Sequence, residues 1–217
     1  MPGQLLGEGV LTTIDDARRR LLHPRAAIIP SGAEVYAVPV QMRVATRAGF
    51  ALDDLNLFST DMSLAPKSST GCKLQNKPAS DGDAVLGAPL SLFTFDFAKA
   101  DLRAYLVGRQ RDDLLLRFDR PGILTAMLIY FDLHCDGEHT FCSGPTNSRL
   151  TAWDQNLRSL PVEVRVNPAI TLPMVAEHNH EAVRVGLPHL HPSMVEGTVG
   201  HHELLGQPAQ PISGGGS

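Results

Sequence analysis

The sequence predicts a mainly β domain, a β-barrel or sandwich with one helix at its start and a projecting arm, and three observations carry that prediction. Beyond Ile28 the apolar residues recur at every second position instead of every third or fourth. Segments of this kind are separated by stretches rich in Gly, Pro, Asn and Asp, as strands are separated by turns. One of them, Ile123–Leu133, is apolar on both faces, the pattern of a strand in the middle of a sheet.

The 217 residues (23.4 kDa) suffice for one full domain with extensions. Hydrophobic residues make up 43% and charged residues 19%, which excludes a wholly disordered chain and a coiled coil. With 19 Lys and Arg against 23 Asp and Glu, the net charge is −4 and the pI near 6.1. No basic field exists to hold nucleic acid or acidic lipid, so neither partner is expected. No window is apolar enough for a membrane span and the start Met1-Pro2-Gly3-Gln4 has no signal core, so the expected location is cytoplasmic or nuclear. Cys72, Cys135 and Cys142 include no C-x-x-C pair, against a disulfide framework and a zinc ribbon.

In chain order, the first element is a helix over about Thr12–Leu22. Ile14, Ala17, Leu21 and Leu22 share its apolar face, Thr12 or Thr13 caps it, Asp15 and Asp16 lie in its first turn, Arg18, Arg19 and Arg20 follow as a solvated face, and Pro24 stops it. A strand around Val38–Val44 comes next, and Pro39 within it predicts an edge position or a bulge. Further strands are expected at Leu90–Phe97 with Phe93, Phe95 and Phe97 on one face, then Leu114–Phe118, Ile123–Leu133, Val162–Val166 and Ala182–Leu187. Together they predict a closed or nearly closed sheet. Ser59–Gly87 is polar and rich in Pro and Gly, and such an insert in a compact domain reads as an arm. The domain plan is residues 1–24 as a lead-in with its helix, 25–187 as the barrel with an arm insertion at about 45–89, and 188–217 as a flexible tail.

No G-x-G-x-x-G or P-loop follows a predicted strand, so a nucleotide or adenosyl cofactor is not expected to bind this chain alone. His178 and His180 would share a strand face, the minimum for a shared ion, but without a recognisable third ligand they read as solvated surface, and no metal site is expected. The pairs His189 with His191 and His201 with His202 fall in the tail. Cys135 and Cys142 read as small buried hydrophobes.

The chemistry lies in Leu5-Leu6-Gly7-Glu8-Gly9-Val10-Leu11 ahead of the helix and Ile28-Ile29-Pro30-Ser31-Gly32-Ala33-Glu34-Val35-Tyr36 after it. Further on come Gly49-Phe50 through Thr60-Asp61-Met62, Phe93-Thr94-Phe95-Asp96-Phe97, Tyr130-Phe131-Asp132-Leu133, Ser143-Gly144-Pro145 and Thr151-Ala152-Trp153-Asp154-Gln155. In order and spacing, from about Leu5 to Leu187, this resembles the C-terminal β-barrel half of the protein arginine N-methyltransferases, with the glutamate loop before it and the dimerisation arm within it. The Gly-Glu-Gly form is similar to the subfamily with two tandem methyltransferase units.

The resemblance implies methyl transfer from S-adenosylmethionine to an arginine-containing protein. It also implies that the S-adenosylmethionine-binding domain is missing here, so the isolated chain is expected to be inactive. Glu8 matches the family's second substrate-gripping glutamate; a carboxylate suits that task because it receives a guanidinium fork through paired charge-assisted hydrogen bonds. Trp153 matches the aromatic that lines the arginine cleft. Ala152 stands where the family has histidine, which removes a hydrogen-bonding group from the substrate wall. The implied partners are a methyltransferase cofactor domain or second repeat, and another copy through the arm. The alternative is a non-catalytic barrel serving as a dimerisation or protein-binding module, or as the degenerate second repeat of a tandem methyltransferase.

Overall fold

A computed structural model describes residues 5–42, 46–47, 50–51, 70–72, 83–99, 101–145 and 155–188. A 3-10 turn, Leu5–Glu8, leads into helix α1, Val10–Arg20. The helix starts two residues before the expected Thr12 because Gly9, at φ 70°, turns the chain out of the 3-10 turn in the left-handed region that glycine adopts without strain. No side chain caps it; the Thr12 hydroxyl instead donates to the Gly9 carbonyl at 2.8 Å. Leu6 and Leu11, both fully buried, pin this lead-in to the core. Leu21 and Leu22, expected on the apolar face, lie beyond the helix end and are exposed.

The strands are β1 (Gly32–Gln41), β2 (Thr46–Arg47), β3 (Phe50–Ala51), β4 (Thr70–Cys72), β5 (Ala84–Val85), β6 (Leu90–Asp96), β7 (Arg109–Arg117), β8 (Gly122–His134), β9 (Thr140–Cys142), β10 (Gln155–Val166), β11 (Thr171–His178) and β12 (Val183–Gly186), with a short helix α2 (Arg103–Val107) before β7. Among the described residues every ladder is antiparallel. A seven-stranded sheet runs β4-β10-β8-β1-β5, with β6 also on β1 and β9 on β8; a three-stranded sheet runs β12-β11-β7. Between them lies the main core: Val35 from β1, Leu92, Phe93 and Phe95 from β6, Leu114 and Leu116 from β7, Met127 and Phe131 from β8, and Met174 and Val185 from the smaller sheet. Strand β8 is central, as its two apolar faces require, and its outward Ala126, Leu128 and Tyr130 build a second, smaller core with Val38, Val40 and Leu157.

The prediction for Pro39 is half corrected. Strand β1 is interior, flanked by β8 on one side and by β6 and then β5 on the other. Pro39 falls where the second neighbour changes, after Ala37 pairs Leu90 and before Val40 pairs Val85. Its carbonyl accepts from Leu86 on that side, and in an antiparallel ladder the N–H that proline lacks would point the same way, at the gap between partners.

A bulge sits elsewhere. Val35 pairs Phe93 and Tyr36 pairs Ser91, leaving Leu92 as the extra residue, so Leu92 and Phe93 are both buried. The Arg111 guanidinium reaches from β7 to the Ser91 and Leu92 carbonyls at 3.3 and 3.0 Å, so a side chain fastens the seam between the two sheets. A second irregularity surrounds Thr125. Strand β10 loses register between Ser159 and Val164, the β1 ladder with β8 ends at Val40 and Ala126, and the Thr125 hydroxyl accepts from the Met42 amide and donates to its carbonyl, both at 2.7 Å.

Arg18 does not belong to a solvated face. Its guanidinium donates to the Phe97 and Ala98 carbonyls at 3.0 and 2.8 Å and ties α1 to the end of β6. Arg19 and Arg20 pair with Asp15 and Asp16 one turn back. Most of the expected arm, and the tail beyond Pro188, lie outside the described residues, apart from short pieces such as β4, which adds to β10 through Gln155, Asn156 and Leu157.

Candidate functional site

Glu8 ends the 3-10 turn, exposed, with the left-handed Gly9 behind it. Its backbone is fixed from both sides. The Gly9 amide donates to the Leu6 carbonyl at 3.1 Å, and the Thr13 amide to the Gly9 carbonyl at 2.9 Å. The turn presents the Glu8 carboxylate, which has no hydrogen-bond or ion-pair partner among the described residues. Trp153 and Ala152 lie outside the described residues.

The two ends of the segment that contains Trp153 are well placed, however. Ser143, fully within the protein, brackets the Phe131 backbone on β8: its hydroxyl donates to the carbonyl at 2.8 Å and accepts from the amide at 2.9 Å. The Gln155 side chain, also buried, donates to the Ser143 carbonyl at 2.6 Å. Residues 143 and 155 are thereby joined beside Phe131, toward the C-terminal end of β8. A Cβ on Gly144 would come within 2.8 Å of the Tyr130 ring and 3.0 Å of Cys142 Sγ, so only glycine lets the chain leave β9 this closely against the tyrosine.

That tyrosine belongs to a polar group which sequence reasoning missed. On the outward face of the large sheet, register places Tyr36 opposite Tyr130 and Glu34 opposite Asp132. The rings stack with centroids 5.1 Å apart and planes at 18°. Glu34 accepts hydrogen bonds from the Ser91 and Tyr36 hydroxyls. Burial, then the bond to Glu34 and the nearby carboxylate charges, holds the Tyr36 hydroxyl well above its ordinary pKa. Tyr130 is raised likewise, first by burial and then by Asp132. Cys142, half-buried and not simply apolar as expected, has its thiol pushed up to about 11 by burial and by its hydrogen bond to Asp132. The available signal was the period-two placement of Glu34 with Tyr36 and of Tyr130 with Asp132, polar positions alternating with core residues along two strands.

The histidines separate. His178 ends β11 with its ring edge-on to Phe93 at 4.6 Å and Phe95 at 5.1 Å, buried and not solvated, and burial lowers its pKa. His180 lies beyond the strand end beside Glu181. Among the described residues no three His, Cys, Asp or Glu side chains are grouped to hold a metal ion.

The chain matches no protein-family model. It is 25% identical over 138 residues to protein arginine N-methyltransferase 7 of Caenorhabditis briggsae, a match covering 62% of this chain and 20% of the relative, so the chain spans about a fifth of that protein's length. Its fold is similar to that of a chain in the Trypanosoma brucei PRMT1 enzyme-prozyme heterotetrameric complex with AdoHcy, with a TM-score of 0.55, 14% sequence identity and coverage of 83% of this chain and 59% of that one. The fold is therefore mainly β, as the sequence predicts, and similar to that of an arginine methyltransferase chain.

Proposed function

We propose that this chain forms the substrate-side wall of a protein arginine N-methyltransferase, with Glu8 and Trp153 toward the arginine. The observation that carries the reading is the hydrogen-bonded Gly7-Glu8-Gly9 turn, which presents an exposed carboxylate without a partner among the described residues, just ahead of the helix that leads into the barrel fold. A carboxylate there takes the guanidinium fork in two parallel hydrogen bonds and holds the acceptor nitrogen in line for a methyl donor.

The described residues do not fit S-adenosylmethionine themselves. All their ladders are antiparallel, and no strand leads through a glycine-rich turn into a helix N-terminus that would hold the donor. The donor is therefore assigned to a cofactor domain beside this one, in the cytosol or nucleus. The structural neighbour comes from an enzyme-prozyme heterotetramer, which supports pairing with a second methyltransferase unit as the working state.

The test mixes the purified chain with the cofactor-binding half of an arginine methyltransferase and follows labelled methyl transfer to an arginine-rich protein. Transfer that needs both parts, and falls at least about a hundredfold with Glu8→Gln, is expected. Transfer unchanged by Glu8→Gln would contradict the reading.

A second reading, a barrel kept for dimerisation or protein binding, is favoured by Ala152, where an imidazole would otherwise be available to the cleft. Ala152→His separates the two. A large rise in the reconstituted transfer supports a working cleft, and an unchanged rate supports the binding module.

A further inference from the structure

Strand β8 changes neighbours along one edge. Its Ile129 pairs Asn156 of β10, while its Asp132 pairs Cys142 of β9, so Tyr130 and Phe131 fall at the change. Ser143 serves Phe131 there. Its amide donates to the Phe131 carbonyl at 2.8 Å, and its hydroxyl accepts from the Phe131 amide at 2.9 Å. In a regular antiparallel pair the partner's own carbonyl would take that second bond. With the hydroxyl in its place, the Ser143 carbonyl is free to accept from Gln155 Nε2 at 2.6 Å. Gln155 opens β10 and is fully buried, so this bond both offsets the cost of burying an amide and ties the start of the segment 144–154 to its end. The direction in which the chain leaves is fixed as well, because Gly144 lies too close to the Tyr130 ring to carry a side chain.

We infer that Gln155 is a positioning residue for Trp153: by clasping the Ser143 carbonyl it closes the base of the segment 144–154 on β8 and sets where the indole meets an arginine. Joining the ends of a loop removes the conformations in which they part, and the restraint is tightest next to the tie. Trp153 stands two residues before Gln155, inside that restrained stretch. Gln155 acts through Ser143 and not on the substrate. The inference rests on the reading of this chain as a substrate-side wall with Trp153 toward the arginine.

Trp153 is the sole tryptophan, so the tryptophan fluorescence of the whole chain reports that residue alone. The experiment compares the unaltered chain with Gln155→Met, which keeps the length of the side chain and removes its donor. It reads acrylamide quenching and anisotropy of the indole, then KM and kcat for an arginine-rich protein in the reconstituted transfer. Stronger quenching and lower anisotropy are expected in Gln155→Met. A contact made equally in the bound and reacting states shows in KM, so KM should rise about fivefold with kcat nearly unchanged, as loss of one neutral hydrogen bond implies. Unmoved fluorescence in a folded Gln155→Met overturns the clasp. Transfer that Glu8→Gln abolishes and Gln155→Met leaves untouched overturns the positioning role while the proposed function stands. Absence of transfer with the unaltered chain overturns both. Should Gln155→Met fail to fold, Gln155→Asn, which keeps the amide and draws it back by one methylene, decides by the same readings.

Discussion

His178 is held neutral by its surroundings, and this makes the fold sensitive to acid. Phe93 and Phe95 pack its ring, Asn179 offers one backbone carbonyl at 3.4 Å, and Arg109 lies opposite on β7 as a like charge to the protonated form. Burial, the largest cause, lowers the folded pKa below the ordinary 6.5. Below that value the unfolded chain binds a proton that the folded chain refuses, so this contribution to stability is full above about pH 6.5 and is lost as the pH falls through the folded value. Melting temperatures between pH 8 and pH 5 should fall on the acid side, and His178→Leu should flatten that fall. At Gly9 the left-handed backbone, with Thr12 Oγ1 at 3.2 Å from any added Cβ, predicts that Gly9→Ala costs about 1–3 kcal/mol in urea unfolding. Glu8 was legible as a residue because it stands in a short motif with glycine on both sides. Glu34 and Asp132 were not, because their meaning arises from register between strands almost a hundred residues apart, which no local pattern encodes.

At the scale of elements, the strands with clean alternation were readable and the interrupted ones were not. Phe93, Phe95 and Phe97 announced β6, and the double-faced apolar run announced β8. Strand β11 was missed because Pro173 breaks its pattern, although Met174, Ala176 and His178 point inward at every second position. Arg18 was misread for a related reason. On the helix it looks like one of three solvent-facing arginines, and only the position of the β6 terminus gives it partners. Those two charge-assisted bonds predict that Arg18→Met costs about 1–3 kcal/mol and speeds hydrogen exchange in α1 more than in β8. In the seam between sheets, Arg111→Met leaves the Ser91 and Leu92 carbonyls of the bulge without their donor. Faster exchange along β6 and β7 is expected, with β1 and β8 unchanged; uniform change across all four strands would show that the guanidinium is not a local fastening.

At the scale of the whole molecule, the main core lies between two antiparallel sheets, with the lead-in turn and α1 docked on it through Leu6, Leu11 and Arg18. That docking gives Glu8 a fixed place relative to the barrel, which the proposed substrate-gripping role requires. On the proposed reading this domain is the acceptor side, and the methyl donor belongs to a separate domain. The most direct measurement is a calorimetric titration of S-adenosylmethionine into the purified chain. No saturable heat is expected; a saturable isotherm with one site per chain would contradict the assignment of the donor to another domain.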